Sequence, residues 1–500
     1  VLFNSTSFLL LFLPASVAGF YLSRRVGLEE AAIAWLIAMS IFFYALWDPA
    51  QIHVPFLSAL FNIGIVFAIR RLPDGECGLA RVLLYAGVVG NVALLFYFKA
   101  QVSPWFSNRA PGGFSVATDI LIPLGISFIT FRQITFLVDG YRDRFANWRL
   151  RDYLFYLFFF PQQIMGPLVR YDDIAGQLRG LNARHAAWDD LASGVAIFAL
   201  GLFKKVWLAD QLALFPDRVF ASAATGTPIS FAHAWLAAPM LLFQIYFDFS
   251  GYADMAIGAA RMFGINLPVN FDAPFRAIDR FDFWRRWHIS FASFMRQYVF
   301  TPLVRRVRLP ALPALLATAL LSGLWHGLSP TFVVWSVAQV SLLMASHLYR
   351  SWARTRTGLK SPWVIRLNVI ITLALSAMLT IVFRASDLQA AWTIYAAMLG
   401  QNDVGASAAI AASATARALL TLAGAMFIMW CLPTTQHFFS SMWTATDARG
   451  PRDRPPPAEG WWLFRPQFRL NGSWAVFIAL LLAASLMGLG RTSRFVYFQF

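Results

Sequence analysis

Charge is scarce in this chain of 500 residues. Only 13% are Asp, Glu, Lys or Arg, against about 25% in soluble globular proteins. Hydrophobic residues make up 58% and mean hydropathy is +0.58. That balance excludes a water-soluble fold and points to an all-α polytopic membrane protein. Acidic residues are the scarcer sign, 25 against 41 basic, for a formal net charge of +16. In a soluble chain such an excess would suggest nucleic acid. Here Arg and Lys gathered in cytoplasmic loops account for it, and no nucleic-acid partner is expected. Cysteine is almost missing. Cys77 and Cys431 stand far apart and offer neither a disulfide framework nor a metal-ligand spacing, so no metal site is expected. Walker, HExxH and GxSxG motifs are absent. So is any internal repeat, which argues against an inverted-repeat transporter.

Long apolar runs are what the sequence has instead. A spanning helix needs about 20 apolar residues. Candidate spans are 3–22, 31–47, 52–69, 82–98 and 120–139, then 191–208, 233–260, 311–328, 331–349, 363–383, 411–431 and 473–489, roughly a dozen on that criterion. The 48 Phe and 19 Trp suit lipid-facing surfaces and interfacial belts. Arg24/Arg25, Arg70/Arg71 and Arg142/Arg144/Arg149 follow the first, third and fifth runs and place those ends in the cytoplasm. The first run has no basic residues before it, so it reads as an anchor with its N-terminus outside rather than a cleaved signal. Residues 99–118, with their Pro and Gly, become an outside loop. Segment 152–169 is broken by Pro161, Gly166 and Pro167 and is expected to be a re-entrant hairpin, tolerated where it is buried in protein or lines a wet cavity. Residues 444–472, rich in Pro, Arg and Trp, read as a polar loop.

Against this apolar background a few polar residues stand out. His326 lies in Leu-Ser-Gly-Leu-Trp-His-Gly-Leu (Leu321 to Leu328), inside a candidate span. An ionisable side chain at membrane depth is a functional candidate by default, and imidazole titrates near neutrality, as a proton shuttle must. Thirty-eight positions earlier (326 − 288), His288 sits in Phe-Trp-Arg-Arg-Trp-His-Ile-Ser, Phe283 to Ser290. That motif belongs to a stretch, 261–308, with nine arginines. Its mixture of aromatic and basic residues suits an amphipathic helix at the cytoplasmic interface. Taken alone, it is a positive-inside loop with interfacial tryptophans. The same arginines would also suit a polyanionic donor such as a coenzyme A thioester, because guanidinium forks fit phosphate. Arg276, Arg285, Arg286, Trp284, Trp287 and Trp325 are the candidate donor-binding residues. A second polar cluster, Tyr246 to Gly258, places Asp248 and Tyr252 on one helical face, with Asp254 close behind. Pairing of its carboxylates with arginines of the following segment is at least as good a reading as catalysis. The chain ends in Phe-Val-Tyr-Phe-Gln-Phe, which serves equally well as an interfacial aromatic anchor.

Several of these motifs occur together in one family. PLGISFITF (Pro123 to Phe131), FFPQQIMGPLVR (Phe159 to Arg170), GLFKKVWLAD (Gly201 to Asp210), YFDFSGYADMAIG, FWRRWHIS, GLWHG (Gly323 to Gly327), LPTTQ (Leu432 to Gln436) and RFVYFQF (Arg494 to Phe500) run almost end to end. In them the chain resembles the membrane-bound O-acyltransferase (MBOAT) superfamily, and within it the branch of the bacterial alginate O-acetyltransferase membrane subunit. The resemblance implies a ring of roughly a dozen transmembrane helices around a central tunnel, with re-entrant and interfacial helices. It implies one domain over 1–500, with N-terminal helices in 1–118, a catalytic core in 119–350, and C-terminal helices and an aromatic tail in 351–500. By that resemblance His326 is the catalytic histidine, His288 its partner, and Tyr497 a candidate acyl carrier. A phenol with pKa near 10 needs a base to become nucleophilic, and His326 could be that base.

The resemblance further implies acetyl-CoA as co-substrate, with no bound cofactor. It implies a periplasmic SGNH-type acetyltransferase partner that passes acetyl to a polysaccharide, and a site in the bacterial inner membrane among its lipids. The sequence departs from the family after FWRRWHIS, where it reads Arg296-Gln297-Tyr298 and then Thr301-Pro302-Leu303-Val304-Arg305, and after GLWHG, where Ser329-Pro330 follows. Arg132 stands where glutamine is common. These departures spare both histidines and leave the polysaccharide open. Peptidoglycan or cellulose O-acetylation and teichoic-acid D-alanylation stay as alternatives on the same fold. A glycan flippase is the alternative from another class.

Overall fold

The computed structural model describes residues 2–47, 49–73, 76–103, 122–181, 188–353, 361–401, 411–440, 464 and 466–489. Among the described residues every regular element is helical. Among the described residues seven helices are long and apolar enough to cross a bilayer: Glu29–Trp47, Pro49–Arg70, Cys77–Gln101, Trp188–Ala224, Pro330–Ala353, Pro362–Arg384 and Ala412–Cys431. Two shorter apolar helices, Ala311–Leu324 and Gly472–Gly488, join them.

This is a multi-pass membrane protein, and among the described residues seven of the dozen or so expected spans stand out by length and composition. The first run is divided between a π-helical turn, Phe8–Phe12, and the helix Leu13–Arg25. Of 120–139, only Ile126–Gly140 is helical among the described residues. Helix Phe231–Arg261 has 31 residues, but Gln244, Asp248, Ser250 and Asp254 break up its apolar surface. The broken segment stops as a helix at Phe158 and tightens into a 3₁₀ turn at Phe160–Gln162. Pro161 has no N–H to continue an α-helix, which is why the change falls there.

The chain divides into two compact units, Val1–Phe198 with Tyr252–Pro268, and Ala199–Gly251 with Val269–Phe500. The first has an aromatic core. Phe3 stacks on Phe8 at 4.7 Å and on Tyr252 at 4.8 Å, and Phe12 meets Phe160 edge-on at 5.1 Å. Each such pair adds about 0.5–1.5 kcal/mol beyond the area it buries. Helices His53–Arg70 and Cys77–Gln101 are joined by a reciprocal amide pair. Asn62 Nδ2 donates to Asn91 Oδ1 at 3.1 Å, and Asn91 Nδ2 donates to Asn62 Oδ1 at 2.8 Å. Both side chains are buried, so each satisfies a group that would otherwise be stranded in an apolar interior.

The second unit is organised by buried charge. Lys205 lies in a π-helical insertion, Lys204–Ala209. Its Nζ is 2.7 Å from Asp210 Oδ1 and 2.7 Å from Asp248 Oδ1. The lysine, not the arginines of the following segment, is therefore the counter-ion of Asp248. Gly251 permits the close approach this needs, since a Cβ there would stand 2.7 Å from the carbonyl oxygen of Gly201.

Candidate active site

His326 is placed by a helical hairpin. Helix Ala311–Leu324 has 14 residues and is ~21 Å long at ~1.5 Å per residue, short of the ~30 Å hydrocarbon thickness. It closes with the N–H of Trp325 donating to Leu321 O (3.2 Å) and that of His326 to Gly323 O (3.0 Å). Pro330 then opens the next helix, Pro330–Ala353, at the position where its missing N–H matters least. The histidine thus occupies the turn between two helices rather than the middle of a span. Gly323 makes the turn possible. A Cβ there would meet Ser336 Oγ at 2.1 Å and Phe332 O at 2.7 Å. The buried imidazole is walled by Trp325 at 4.0 Å, Phe383 at 4.8 Å and Phe332 at 5.8 Å.

His288 is placed by a break in its motif. Asp279 caps the helix Arg280–Arg286, accepting from Asp282 N–H at 3.0 Å. One turn on, Asp282 accepts from Arg286 Nε at 3.0 Å. The helix ends at Arg286, and His288 follows with φ 44° and ψ 53°. That left-handed conformation is uncommon for a residue with a side chain. FWRRWHIS is therefore not one amphipathic helix but two short ones joined at His288. Asn270 holds the joint. Its backbone carbonyl accepts from Ile289 N–H at 2.9 Å, and its Oδ1 accepts from Ser290 Oγ at 2.7 Å and Ser290 N–H at 3.2 Å.

The ring of His288 sits between Phe249, edge-on at 4.6 Å, and Phe291, stacked at 4.9 Å. Only 3% of the residue is exposed, and neither ring nitrogen has a hydrogen-bond partner among the described residues. Burial lowers its pKa from 6.5 to about 3, so at neutral pH it is an uncharged imidazole. The unfolded chain binds a proton here below pH 6.5 and the folded chain does not until about 3. The unfolded state holds more protons in that window, so stability falls as pH falls through it, by roughly 1.4 kcal/mol per pH unit. His288→Asn is expected to flatten this acid limb when the melting midpoint in detergent is followed from pH 7 to pH 5. An unchanged limb would show that His288 is not buried neutral.

Both histidines line one half-open cavity of about 60 Å³, entirely within the second unit. It has room for about four to six water molecules at ~10–15 Å³ each. Its other polar walls include Arg280, Ser322, Gln339 and Ser376. A small group held there would face two imidazoles and a guanidinium, with aromatic rings limiting water.

The sequence pattern of the MBOAT, membrane-bound O-acyltransferase, family covers residues 137–383, a range that includes both histidines and Arg280. A probable alginate O-acetylase, AlgI, of Azotobacter vinelandii is 32% identical across 100% of both chains. A peptidoglycan O-acetyltransferase of Helicobacter pylori is 32% identical across 81% of each chain. The chain belongs to the membrane-bound O-acyltransferase family. A teichoic acid D-alanyltransferase of Bacillus subtilis is a more distant relative, 24% identical over 68% of this chain and 87% of its own length.

As a membrane-bound O-acyltransferase the chain is an enzyme, and its remaining candidate residues fall into two groups. Trp284 and Trp287 line the cavity with the histidines, and Trp325 packs on His326. The three arginines singled out for donor binding do not line it. Arg276 donates through Nη2 to the carbonyls of Met429 and Trp430, both at 3.0 Å. Arg286 is paired with Asp282, and Arg285 is exposed. Asp248, Tyr252 and Asp254 are buried away from the cavity walls. Asp248 is held by Lys205, and Tyr252 stacks on Phe3. Tyr497 lies outside the described residues. The arginine that does line the cavity, Arg280, carried no signal to separate it from eight others in the same basic stretch.

Proposed function

We propose that this membrane O-acyltransferase takes an acetyl group from a cytoplasmic thioester, acetyl-CoA, and delivers it to an extracytoplasmic hydroxyl for O-acetylation of an exported polysaccharide. The observation that carries this reading is the pair of buried imidazoles, His326 and His288, facing one small cavity. His326 is the general base. It accepts the proton of the attacking hydroxyl as oxygen bonds to the thioester carbonyl carbon, and returns it to the departing thiolate. His288, neutral and without a protein hydrogen-bond partner, offers one N–H to orient the thioester. Trp284 and Trp287 flank the donor arm.

Two observations favour acetyl as the payload. The cavity holds only a few heavy atoms. The relatives at 32% identity are named for O-acetylation, of alginate and of peptidoglycan, whereas the D-alanyltransferase stands at 24%. The first acceptor in this proposal is Tyr497, or a serine on a periplasmic SGNH-type partner that passes acetyl to the sugar. The enzyme would work in the inner membrane, between cytoplasmic donor and outer acceptor.

Radiolabelled acetyl-, propionyl- and octanoyl-CoA offered to the purified protein test this. Label is expected on Tyr497 from the two short donors, with octanoyl at least ~10-fold slower because each extra methylene must displace packed side chains. Tyr497→Phe should take no label. Equal rates for octanoyl would remove the size argument, and full labelling of Tyr497→Phe would move the acceptor elsewhere.

A further inference from the structure

We infer that Arg280 is a catalytic residue of this transfer, its guanidinium stabilising the oxyanion formed on the thioester carbonyl. The inference rests on the acyl-transfer reading above and deepens it.

Arg280 is 2% exposed and lines the cavity. Its Nη1 donates to Ser376 Oγ at 2.6 Å and its Nη2 to Gln339 Oε1 at 2.7 Å. Both partners are uncharged. A guanidinium has five N–H donors, so these two bonds leave three, and Nε is buried with no partner among the described residues. The ring of Phe283 covers one side at 4.3 Å. Asp279 is the neighbouring carboxylate, but Arg350 engages it bidentately at 2.6 and 2.7 Å. Among the described residues no carboxylate bonds Arg280.

A buried cation without an anion is strongly unfavourable. Arg286 of the same stretch avoids that state through Asp282, whereas Arg280 is held by neutral oxygens. Arg280 is the charged side chain among the residues described on the cavity wall, and it is braced rather than neutralised. Such a group is preorganised for negative charge that develops during reaction. Burial brings its pKa down to about 9, so it stays protonated at neutral pH. His288, uncharged there, offers a neutral N–H donor but no positive charge.

The placement suits an oxyanion rather than a contact with the base. Gln339 lies one turn beyond Trp335, whose ring is 6.2 Å from that of His326. Ser376 lies two turns before Phe383, which is 4.8 Å from the same imidazole. At ~1.5 Å of rise per residue, Gln339 stands ~6 Å along its helix from Trp335 and Ser376 ~10 Å along its own from Phe383, so the brace is set off along both helices from the rings that pack on His326. A base, a hydroxyl, a carbonyl and an oxyanion donor in series span about 6–9 Å. In the step itself the hydroxyl proton passes to His326 and the new C–O bond forms. The carbonyl π pair moves onto oxygen beside Arg280. When the pair returns, the C–S bond breaks and the thiolate takes the proton from His326.

The test compares wild type, Arg280→Met, Arg280→Lys and Gln339→Glu in detergent with acetyl-CoA as donor, and His326→Ala as control. Arg280→Met is expected to lower kcat by ~10²–10³-fold, the usual effect of losing one oxyanion donor, with KM for acetyl-CoA within threefold. Arg280→Lys should recover at least tenfold of that loss. Gln339→Glu keeps every packing contact but gives Arg280 a carboxylate, so it should lower kcat at least tenfold at a melting midpoint no lower than that of wild type. If Arg280→Met melts early, Gln339→Glu decides. A kcat within threefold of wild type in either folded variant overturns the inference, as does a loss confined to KM, which would make Arg280 a donor anchor. A wild type that transfers no acetyl overturns the acyl-transfer reading instead, and is distinguished by that control.

Discussion

His326→Ala is expected to reduce kcat for acetyl transfer by ~10²–10⁴-fold, the range that general-base assistance contributes, while the protein stays folded. The expected rise in barrier is ~2.7–5.4 kcal/mol. Three features support an effect of this size. The imidazole lines the cavity, it is buried so that water is a poor substitute base, and aromatic rings at 4.0–5.8 Å fix its orientation. KM for the donor should change little, because the ring acts on a proton that moves only during the chemical step. His326→Gln should behave like the alanine variant, since an amide fills the space but accepts no proton at neutral pH. Steady-state rates over a range of acetyl-CoA concentrations check both points. A variant with wild-type kcat would remove His326 from the reaction.

Lys205→Met is expected to destabilise the protein by about 3–5 kcal/mol, the usual result of removing one partner from a buried ion pair. Lys205 serves two carboxylates. The side chain of Asp210 is 17% exposed and can reach water, whereas that of Asp248 is 2% exposed and cannot. Removing the ammonium takes the cation from 2.7 Å of a buried carboxylate in a tightly packed helix contact, and the loss is a large fraction of the margin of many domains. The measurement is the melting midpoint, together with the yield of monodisperse protein in detergent. Lys205→Met combined with Asp248→Leu should recover most of the loss, because replacing both partners of a buried pair is often close to neutral. If the single variant melts with wild type, the cluster does not hold this unit together.

The sequence made the helices and the family legible because both signals are local. Apolar runs of spanning length fix most of the long helices. FWRRWHIS and GLWHG place two histidines that the fold then brings to one cavity, although the residues between them form several short helices and one longer one. What it hid depended on long-range partners. Arg280 differs from the other arginines of its stretch through Gln339 and Ser376, 59 and 96 positions away. Lys205 is adjacent to Lys204 and of the same type, yet a π-helical insertion and Asp248 make it the buried one. The break at His288 was equally hidden, because the amphipathic pattern of FWRRWHIS continues straight through it. Asn270, which holds that break, lies 18 positions upstream in a loop. The turn at His326 was legible only in part. Apolar residues continue through it, and Gly327 with Ser329-Pro330 is the local sign that the helix stops.

The arrangement of base, carbonyl and guanidinium is tested by a structure of the protein bound to a ketone analogue of acetyl-CoA, in which a methylene replaces the reacting sulfur. The acetyl carbonyl is expected inside the cavity shared by His288 and His326, with its oxygen toward Arg280 and its open face toward the His326 ring. Density for the analogue outside that cavity, or a His326 ring closed off from the carbonyl, would contradict it.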